Sequence, residues 1–354
     1  MGEETKIQWC DHTFNPWIGC AKVHTGCLNC YAEADMAIRR KRVVWGENGS
    51  RSVTSDAYWK QPHKWNREAQ QDGVRRRVFC ASLADVFEDR PELAARRDGL
   101  FEVIDATPWL DWLLLTKRPQ NIVNMTPEIR RCPECADVVH DDESGQWKWC
   151  FSCKKAFPQY TKRKNVWLGT SVSDQATANK AVPELLKCRD LSPVLFLSCE
   201  PLIGPIDLTE LDNKHFETFN CLTNRVTTSH GNSFTTSDLS KIDWCIVGGE
   251  SGPQARVCKP RWINTIVKQC GSANVPVFVK QLGQNCITRN DSVGWEFDFP
   301  DNFPDDSDVE HDIHGFRENY QGADCRVRFS DKKGGNPEEW PPALRVRQFP
   351  KVAS

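Results

Sequence analysis

Short apolar runs that end in polar residues recur along this chain of 354 residues. Serine, threonine, lysine, glutamine or glutamate side chains follow nearly every run. Near-continuous apolar runs are typical of parallel strands that are buried on both faces. The pattern predicts seven strands, at residues 6–9, 78–81, 112–115, 166–169, 194–197, 244–247 and 277–279.

Stretches with helix-forming composition separate these runs, at residues 31–42, 91–106, 174–189 and 261–269. Alternating strands and helices predict an α/β fold, and seven sequential units favour a full or partial (β/α) TIM-type barrel over a doubly wound sheet. In such barrels the functional residues collect at the carboxyl ends of the strands. The polar residues that end the runs are therefore the candidate site.

Four segments do not follow the repeat within what is predicted to be one barrel spanning residues 1–354. Residues 130–164 and 206–241 are interpreted as insertions, the second as a hairpin or loop rich in Thr, Ser and Asn. Residues 284–354 are interpreted as a C-terminal extension that covers the barrel bottom or side. The polar segment 45–73 is interpreted as an excursion over the barrel mouth or a lid.

Charge and cysteine content narrow the class of protein. The 46 basic and 48 acidic residues give a net charge of −2, so any nucleic-acid surface must be a local patch. No apolar run approaches the roughly 18–20 residues of a membrane span, and the first residues do not resemble a signal peptide. Seventeen cysteines in a chain of this size indicate metal ligands in a reducing cytoplasm.

One cluster of cysteines lies directly after the first predicted strand. Cys20, Cys27 and Cys30 have the spacing C-x6-C-x2-C, with Gly19 and Gly26 beside the first two. Thiolates are soft ligands for zinc or iron–sulfur clusters, and structural zinc requires four protein ligands. Because a fourth nearby cysteine is missing, the spacing favours a 4Fe–4S cluster with one open iron over zinc or three buried free thiols.

A second cluster consists of two C-x2-C pairs inside the first insertion. Cys132, Cys135, Cys150 and Cys153 have the spacing of a four-cysteine zinc ribbon. Basic residues flank these pairs, namely Arg130, Arg131, Lys148, Lys154, Lys155, Lys162, Arg163 and Lys164. Two interpretations remain open: the ribbon is a structural clip, or it is a clamp that contacts nucleic-acid phosphates.

The order of these motifs resembles a phage- and bacterium-encoded three-cysteine family that is similar to the radical S-adenosylmethionine (SAM) superfamily. The resemblance rests on Asn15-Pro16-Trp17-Ile18-Gly19-Cys20, Gly26-Cys27, Asn29-Cys30-Tyr31-Ala32, Ser82 with Asp85, Leu115-Thr116-Lys117-Arg118-Pro119, Gly169-Thr170-Ser171-Val172, Ser198-Cys199-Glu200-Pro201-Leu202, Gly248-Gly249-Glu250-Ser251, Lys280-Gln281 and Trp340-Pro341. Two features depart from the superfamily pattern: the first cysteine gap is six residues rather than three, and the glycine-glycine-glutamate segment comes late in the chain.

The resemblance implies a 4Fe–4S cluster, SAM as cofactor, a 5′-deoxyadenosyl radical as oxidant, and a flavodoxin- or ferredoxin-type electron donor. It implies SAM contacts among the polar strand ends, with Lys117, Lys280 and Cys199 as candidate catalytic residues. The candidate SAM-binding residues are Ser82, Asp85, Ser171, Ser173, Glu200, Gly248, Gly249 and Glu250.

The phage connection of the family implies a reaction on DNA in a host cytoplasm. The expected reaction is isomerisation of N-linked glycinyl-thymidine to a C-linked form, with DNA or a modified nucleotide as substrate. Two alternatives remain open. One is radical repair or modification of another DNA or tRNA base; the other is a non-catalytic zinc-dependent nucleic-acid-binding phage protein.

Overall fold

Seven parallel strands form the central sheet, and each strand pairs with its neighbours in chain order. They are β1 (His12–Phe14), β2 (Arg76–Cys80), β3 (Leu110–Thr116), β4 (Val166–Ser171), β5 (Val194–Cys199), β6 (Trp244–Gly248) and β7 (Val277–Gln281). The computed structural model describes residues 5–132, 134–135, 137–142, 144–158, 161–213, 217–228, 230–235, 240–291, 294–295, 310–311 and 324–351.

The sheet is curled into a half-barrel, because side chains from distant strands meet on its inner face. Trp9, just before β1, contacts Phe79 of β2 and Trp244 of β6, with ring centroids 4.6 and 6.4 Å apart. Phe79, Leu113, Trp167, Phe196, Trp244 and Phe278 belong to this inner apolar cluster, here called the inner floor. The prediction of an α/β fold is thus confirmed, and the curl is compatible with a partial (β/α) barrel.

Four helices pack on the outer face of the sheet. They are α1 (Gln61–Asp72), α2 (Ala94–Asp105), α3 (Gln175–Leu186) and α4 (Pro260–Ser272). The last three agree with the predicted helices 91–106, 174–189 and 261–269. The predicted helix 31–42 exists in two parts, an α-helical turn (Tyr31–Glu33) and a π-helical stretch (Ala34–Arg39).

Helix α1 was not predicted, since its segment was interpreted as an excursion or lid. Pro62 stands in its first turn and Gly73 ends it with a φ of 65°, the left-handed conformation that glycine adopts without strain. Trp65 and Ala69 form the buried face of this otherwise polar helix. The signals for both ends of the helix, Pro62 at the start and Gly73 after the last turn, are visible in the sequence.

The prediction of the first strand was wrong in its position. Residues 6–9 form no strand; β1 begins at His12 and pairs with Val78–Cys80 of β2 in parallel register. Trp9 instead turns into the inner floor, where its side chain is almost completely buried. The apolar side chains of residues 6–9 therefore pack into the barrel interior instead of forming a strand.

Both predicted insertions are antiparallel sheets. The first holds three strands, His140–Asp141, Trp147–Cys150 and Lys155–Pro158, and is here called the ribbon. The second holds four, Leu211–Asn213, Glu217–Asn220, Arg225–Thr227 and Ser233–Thr235, which extends the expected hairpin to a meander. A strand pair, Trp17–Ile18 with Ser52–Val53, precedes α1.

The C-terminal extension contains the strands Cys286–Asp291, Gly294–Trp295, Glu310–His311 and Asp324–Val327; residues 292–293, 296–309 and 312–323 lie outside the described residues. Further on, Val346 and Gln348 hydrogen-bond to the outer edge of β7, and Phe349 packs on Trp244 and Phe278 in the inner floor. No helix in the described part of the chain is long and apolar enough to cross a membrane.

Several short helical segments complete the fold. They are Thr25–Cys27, Asp56–Trp59, Pro91–Leu93, Pro119–Asn121, Ile122–Met125, Arg189–Leu191, Pro337–Glu339 and Pro342–Leu344. The first of these lies inside the three-cysteine segment, so that segment is folded locally.

Candidate functional site

The segment 19–30, called the cysteine loop, lies across the carboxyl ends of the strands and is held there from several sides. The Ala21 N–H donates to Glu88 Oε1 at 3.1 Å, beyond the end of β2. Arg118, just after β3, donates to the Ala21 carbonyl oxygen at 3.0 Å. Arg256, beyond the end of β6, donates to the Thr25 carbonyl oxygen at 2.7 Å. The loop therefore spans the mouth of the half-barrel.

A second clasp joins the loop to the segment after β6. Asn29 Nδ2 donates to Glu250 Oε2 at 3.1 Å and to the Gln254 carbonyl oxygen. Arg256 donates to both oxygens of Glu250, at 2.9 and 2.7 Å. Burial opposes the charge of Glu250, yet these donors hold its pKa below the usual range. The carboxylate that was expected to bind SAM is thus engaged in holding the loop.

The loop thiols are free and mostly shielded from water. Cys27 is buried, and Cys20 and Cys30 are half-buried. Burial, reinforced by the Asp85 carboxylate, raises the pKa of Cys20 to about 12. Burial also raises the pKa of Cys30. Cys20 and Cys30 are therefore protonated at neutral pH, and a metal ion would have to displace their protons to bind them.

The three loop sulfurs do not form a single-ion site. Among the described residues, the one group of ligand atoms lying within 4.8 Å of each other is the ribbon set. Zinc–sulfur bonds of about 2.3 Å require sulfurs no more than about 4.6 Å apart. A cluster of several irons distributes its ligands over separate metal atoms and accepts a wider spacing. The loop sulfurs as placed are therefore too far apart to share one zinc ion.

A buried ionic network supports the loop beneath Cys20. Arg118 Nη1 lies 2.9 Å from Asp85 Oδ2 and 3.7 Å from Cys20 Sγ. Glu88 contacts Arg118 at 3.5 Å and pairs with Arg51 at 2.7 Å. All four charged side chains are less than a tenth exposed. Burial disfavours the charge of Arg118, but its carboxylate partners raise its pKa overall.

Asp85 uses its acceptor capacity inside this network. Its Oδ1 accepts from Thr116 Oγ1 at 2.7 Å and from the Phe87 N–H at 3.0 Å. Its Oδ2 accepts from the Lys117 N–H at 3.1 Å as well as from Arg118. With four donors on two oxygens, Asp85 positions Arg118 and has little capacity left for a cofactor.

The upper inner wall of the half-barrel carries two lysines from different strands. Lys117 Nζ donates to Ser171 Oγ at 3.1 Å. Lys280 Nζ lies 3.0 Å from Glu200 Oε1. Glu200 Oε2 also accepts from Ser198 Oγ at 3.4 Å. The structure therefore brings four predicted site residues to one wall, with Lys280 neutralised by a carboxylate and Lys117 held by a hydroxyl.

Two buried polar atoms in and beside the loop have no hydrogen-bond partner among the described residues. They are Ser173 Oγ, just beyond β4, and His24 Nε2, in the loop. A Cβ on Gly26 would lie 2.3 Å from Ser173 Oγ, so only glycine permits this approach. Burial, with Lys117 nearby, lowers the pKa of His24 to about 4, so the ring is neutral.

The remaining predicted contacts have packing roles. Gly248 and Gly249 allow close backbone approach, since a Cβ on Gly249 would lie 2.3 Å from the Leu282 carbonyl oxygen. Ser82 Oγ accepts from Asn15 Nδ2 at 3.1 Å, which ties the start of the loop to the end of β2.

Cys199 lies away from the site. Side chains alternate along a strand, and Ser198 and Glu200 point to the inner wall, so Cys199 packs in the apolar layer between sheet and helices. It is completely buried, and burial raises its pKa well above the usual range. A neutral, inaccessible thiol does not contact a substrate.

The ribbon brings its four cysteines together. The sulfurs of Cys132 and Cys153 are 3.7 Å apart, and those of Cys135 and Cys150 are 3.6 Å apart. All four sulfurs lie within 4.8 Å of one another, the spacing of a tetrahedral thiolate site. The group can therefore hold a metal ion such as zinc.

The basic flank of the ribbon is largely engaged in ion pairs, so fewer of its side chains are available for a clamp on nucleic-acid phosphates. Arg163 is buried and pairs with Asp105 through two bonds of 2.7 and 3.1 Å, which anchors the ribbon to α2. Glu134 lies 2.8 Å from Lys155 and 4.0 Å from Lys164. The partly buried Lys148 pairs with Glu128 and Asp141, and Arg130 pairs with Glu102.

The sequence analysis did not assign roles to Arg118 and Arg256, the two residues that clasp the loop. Arg118 stands inside the quoted segment Leu115-Thr116-Lys117-Arg118-Pro119, and Arg256 lies six residues after Glu250. The planar guanidinium group suits arginine to binding carbonyls and carboxylates. An arginine close after a predicted strand was therefore the available signal in the sequence for a residue that holds the loop.

Fold and site together define a mixed α/β half-barrel protein with a cysteine loop across its mouth and an inserted four-cysteine ribbon that can hold a metal ion. The family described as protein of unknown function (DUF5131) matches residues 4–335. The chain belongs to this family. No curated protein and no solved structure matches the chain.

Proposed function

We propose that this chain is a radical SAM enzyme in which Cys20, Cys27 and Cys30 hold a 4Fe–4S cluster at the mouth of a partial TIM-type barrel. The observation that carries the proposal is the placement of the cysteine loop. Residues following β2, β3 and β6 hold three free thiols over the carboxyl ends of the strands. Function collects at this end in (β/α) barrels.

The residues around the loop fit a cluster and an amino-acid-bearing cofactor. The loop offers three thiols for a cluster that needs a fourth, external ligand. Ser173 Oγ is buried without a partner in the described part of the chain and is available to donate to a bound molecule. Lys117, held only through Ser171 Oγ, provides a positive charge for a carboxylate.

When bound, the cluster and SAM supply one-electron chemistry that removes a hydrogen atom from an unactivated carbon. The chain supplies the surroundings. The inner floor closes the barrel below the site with aromatic side chains and excludes water. Lys117, Lys280 and Glu200 orient polar groups of the ligands on the inner wall. Asp85 and Glu250 act through the loop, by positioning Arg118 and Asn29.

The proposed substrate is a modified nucleobase of DNA, with N-linked glycinyl-thymidine converted to its C-linked isomer as the leading candidate. The resemblance of the motifs to the phage-encoded family supports this choice. The wall also provides matching groups, because a glycyl carboxylate and amine can meet Lys280 and Glu200, respectively. Zinc in the four-cysteine site stiffens the ribbon in this proposal.

Anaerobic incubation of the reconstituted chain with SAM and dithionite tests the proposal. We expect a brown protein that absorbs near 400 nm and forms 5′-deoxyadenosine. The incubation is carried out once with modified DNA and once without it. The matched control replaces the three loop cysteines with alanine, which leaves the ribbon cysteines in place. A colourless wild-type protein that binds only zinc would refute the enzyme and favour a zinc-dependent binding protein.

A further inference from the structure

The central strand of the ribbon carries aromatic side chains on an open face. Along Trp147–Cys150, Trp147 and Trp149 are exposed, whereas Lys148 and Cys150 between and after them are buried. The exposed fractions are 45% for Trp147 and 37% for Trp149, and 67% for the following Phe151. Large aromatic side chains exposed together on one face indicate an interaction surface.

The aromatic side chain of His140, on a neighbouring strand, lies beside two of these rings. Trp149 lies opposite His140 on one neighbouring strand, and His140 contacts Phe151 with ring centroids 5.2 Å apart. Cys150, on the opposite face, belongs to the four-cysteine site. A metal ion at that site would hold the strand through its buried face and leave the face with Trp147 and Trp149 exposed.

The spacing of the two tryptophans selects a conformation of nucleic acid. Side chains two residues apart on a strand are separated by about 6.8 Å. Bases in a duplex rise 3.4 Å per strand step, and their faces are covered by their neighbours. Consecutive bases can stack on both rings only in a strand that is extended and unstacked, so the face fits a single strand rather than a duplex.

Two exposed lysines of the ribbon segment agree with this partner. Residues 130–164 contain eight Lys and Arg residues against five Asp and Glu residues, although Arg130, Lys148 and Arg163 pair with acidic residues outside this segment. Lys154 follows the cysteine pair next to Phe151, and Lys162 lies in the segment that returns to β4. Both side chains are exposed, so they are available for phosphate contacts.

We propose that Trp147, Trp149 and Phe151 form a stacking platform for unpaired bases of single-stranded nucleic acid. The platform deepens the proposed function, since it would hold a strand whose target base must leave the duplex to reach the barrel mouth. Binding to the platform does not require the cluster.

Fluorescence anisotropy of a labelled oligothymidylate, measured with the zinc-loaded full chain, tests this platform. We expect Trp147→Ala and Trp149→Ala each to weaken binding roughly 5- to 150-fold, the range for one lost base stack. Trp149→Phe should retain most of the affinity, because a ring remains. The matched control is Phe234→Ala, which removes an equally exposed aromatic side chain from the other inserted sheet.

Zinc content and circular dichroism of each variant establish that the ribbon is folded. Wild-type affinity in folded tryptophan variants, or tighter binding of a labelled duplex than of the single strand, would overturn the platform. Iron is measured in the same preparations. Oligonucleotide binding without iron would remove the proposed enzyme and leave the platform, whereas iron without oligonucleotide binding would remove the platform alone.

Discussion

Replacing Arg118 with methionine should both destabilise the fold and loosen the cysteine loop. The side chain of Arg118 is 9% exposed and that of Asp85 is 6% exposed, so the substitution leaves a buried carboxylate without its cation. It also removes the 3.0 Å bond to the Ala21 carbonyl oxygen and the contact with Cys20 Sγ. Breaking a buried pair by removing one partner costs about 3–5 kcal/mol.

The lower end of that range is expected at this site. Asp85 keeps three donors after the substitution, namely Thr116 Oγ1 and the N–H groups of Phe87 and Lys117. A loss of about 3 kcal/mol is therefore expected, and Arg118→Met combined with Asp85→Asn should recover only the part due to the unpaired charge, because the amide nitrogen cannot accept from the Lys117 N–H.

Urea unfolding measures these free energies from the transition midpoint at constant slope. The control is Lys187→Met, which breaks the exposed pair with Glu184 and should cost no more than about 1 kcal/mol. Iron binding after reconstitution reports the loop directly, and we expect Arg118→Met to retain less iron than the wild type. A stability loss as small as that of the control, with normal iron content, would refute the idea that Arg118 holds the loop.

Three further outcomes are expected. Gly26→Ala should lower the iron content without unfolding the barrel, because the new Cβ would clash with Ser173 Oγ. An unchanged iron content, measured by absorbance, would show that the loop backbone can shift to accept the Cβ. Arg163→Met should cost about 3–5 kcal/mol in urea unfolding, since it leaves Asp105 buried and unpaired, whereas a loss below about 1 kcal/mol would mean that the ribbon is not anchored there. Cys150→Ser should release about one zinc per chain in metal analysis while iron stays bound, and a zinc content equal to that of the wild type would contradict the four-cysteine site.

Apolar runs and their polar ends predicted the sheet well, because burial on both faces imposes a composition that survives in the sequence. Six of the seven predicted strands lie within or overlap the observed ones. The prediction of a strand at residues 6–9 was wrong, because an apolar side chain outside the sheet can also fill the barrel interior, as that of Trp9 does. Helix α1 was missed because only Trp65 and Ala69, with Pro62, face the core of a highly polar helix.

The sequence predicted the parts of the candidate site whose chemistry depends on residue type alone. It predicted less well the parts that depend on the direction in which a side chain points. The ribbon cysteines meet as the spacing of two C-x2-C pairs predicts. Cys199 is a candidate through the resemblance of the segment Ser198-Cys199-Glu200-Pro201-Leu202, although strand alternation already places it opposite Ser198 and Glu200. The partners of Arg163 and Glu250 lie far along the chain or in separate loops, and no local pattern indicates which charge each will meet.

The inner floor joins residues from nearly opposite ends of the described chain, since Trp9 and Phe349 both contact Trp244. Such distant partners impose a high contact order, and the entropy of closing so long a segment must be overcome before their packing contributes. The floor is therefore expected to form late in folding, after the neighbouring strands have paired. During synthesis, the amino-terminal elements emerge long before Phe349 exists. Until Phe349 has been synthesised, Trp244 and Phe278 lack one of the rings that pack on them, so the inner floor should exclude water fully only after that residue has emerged.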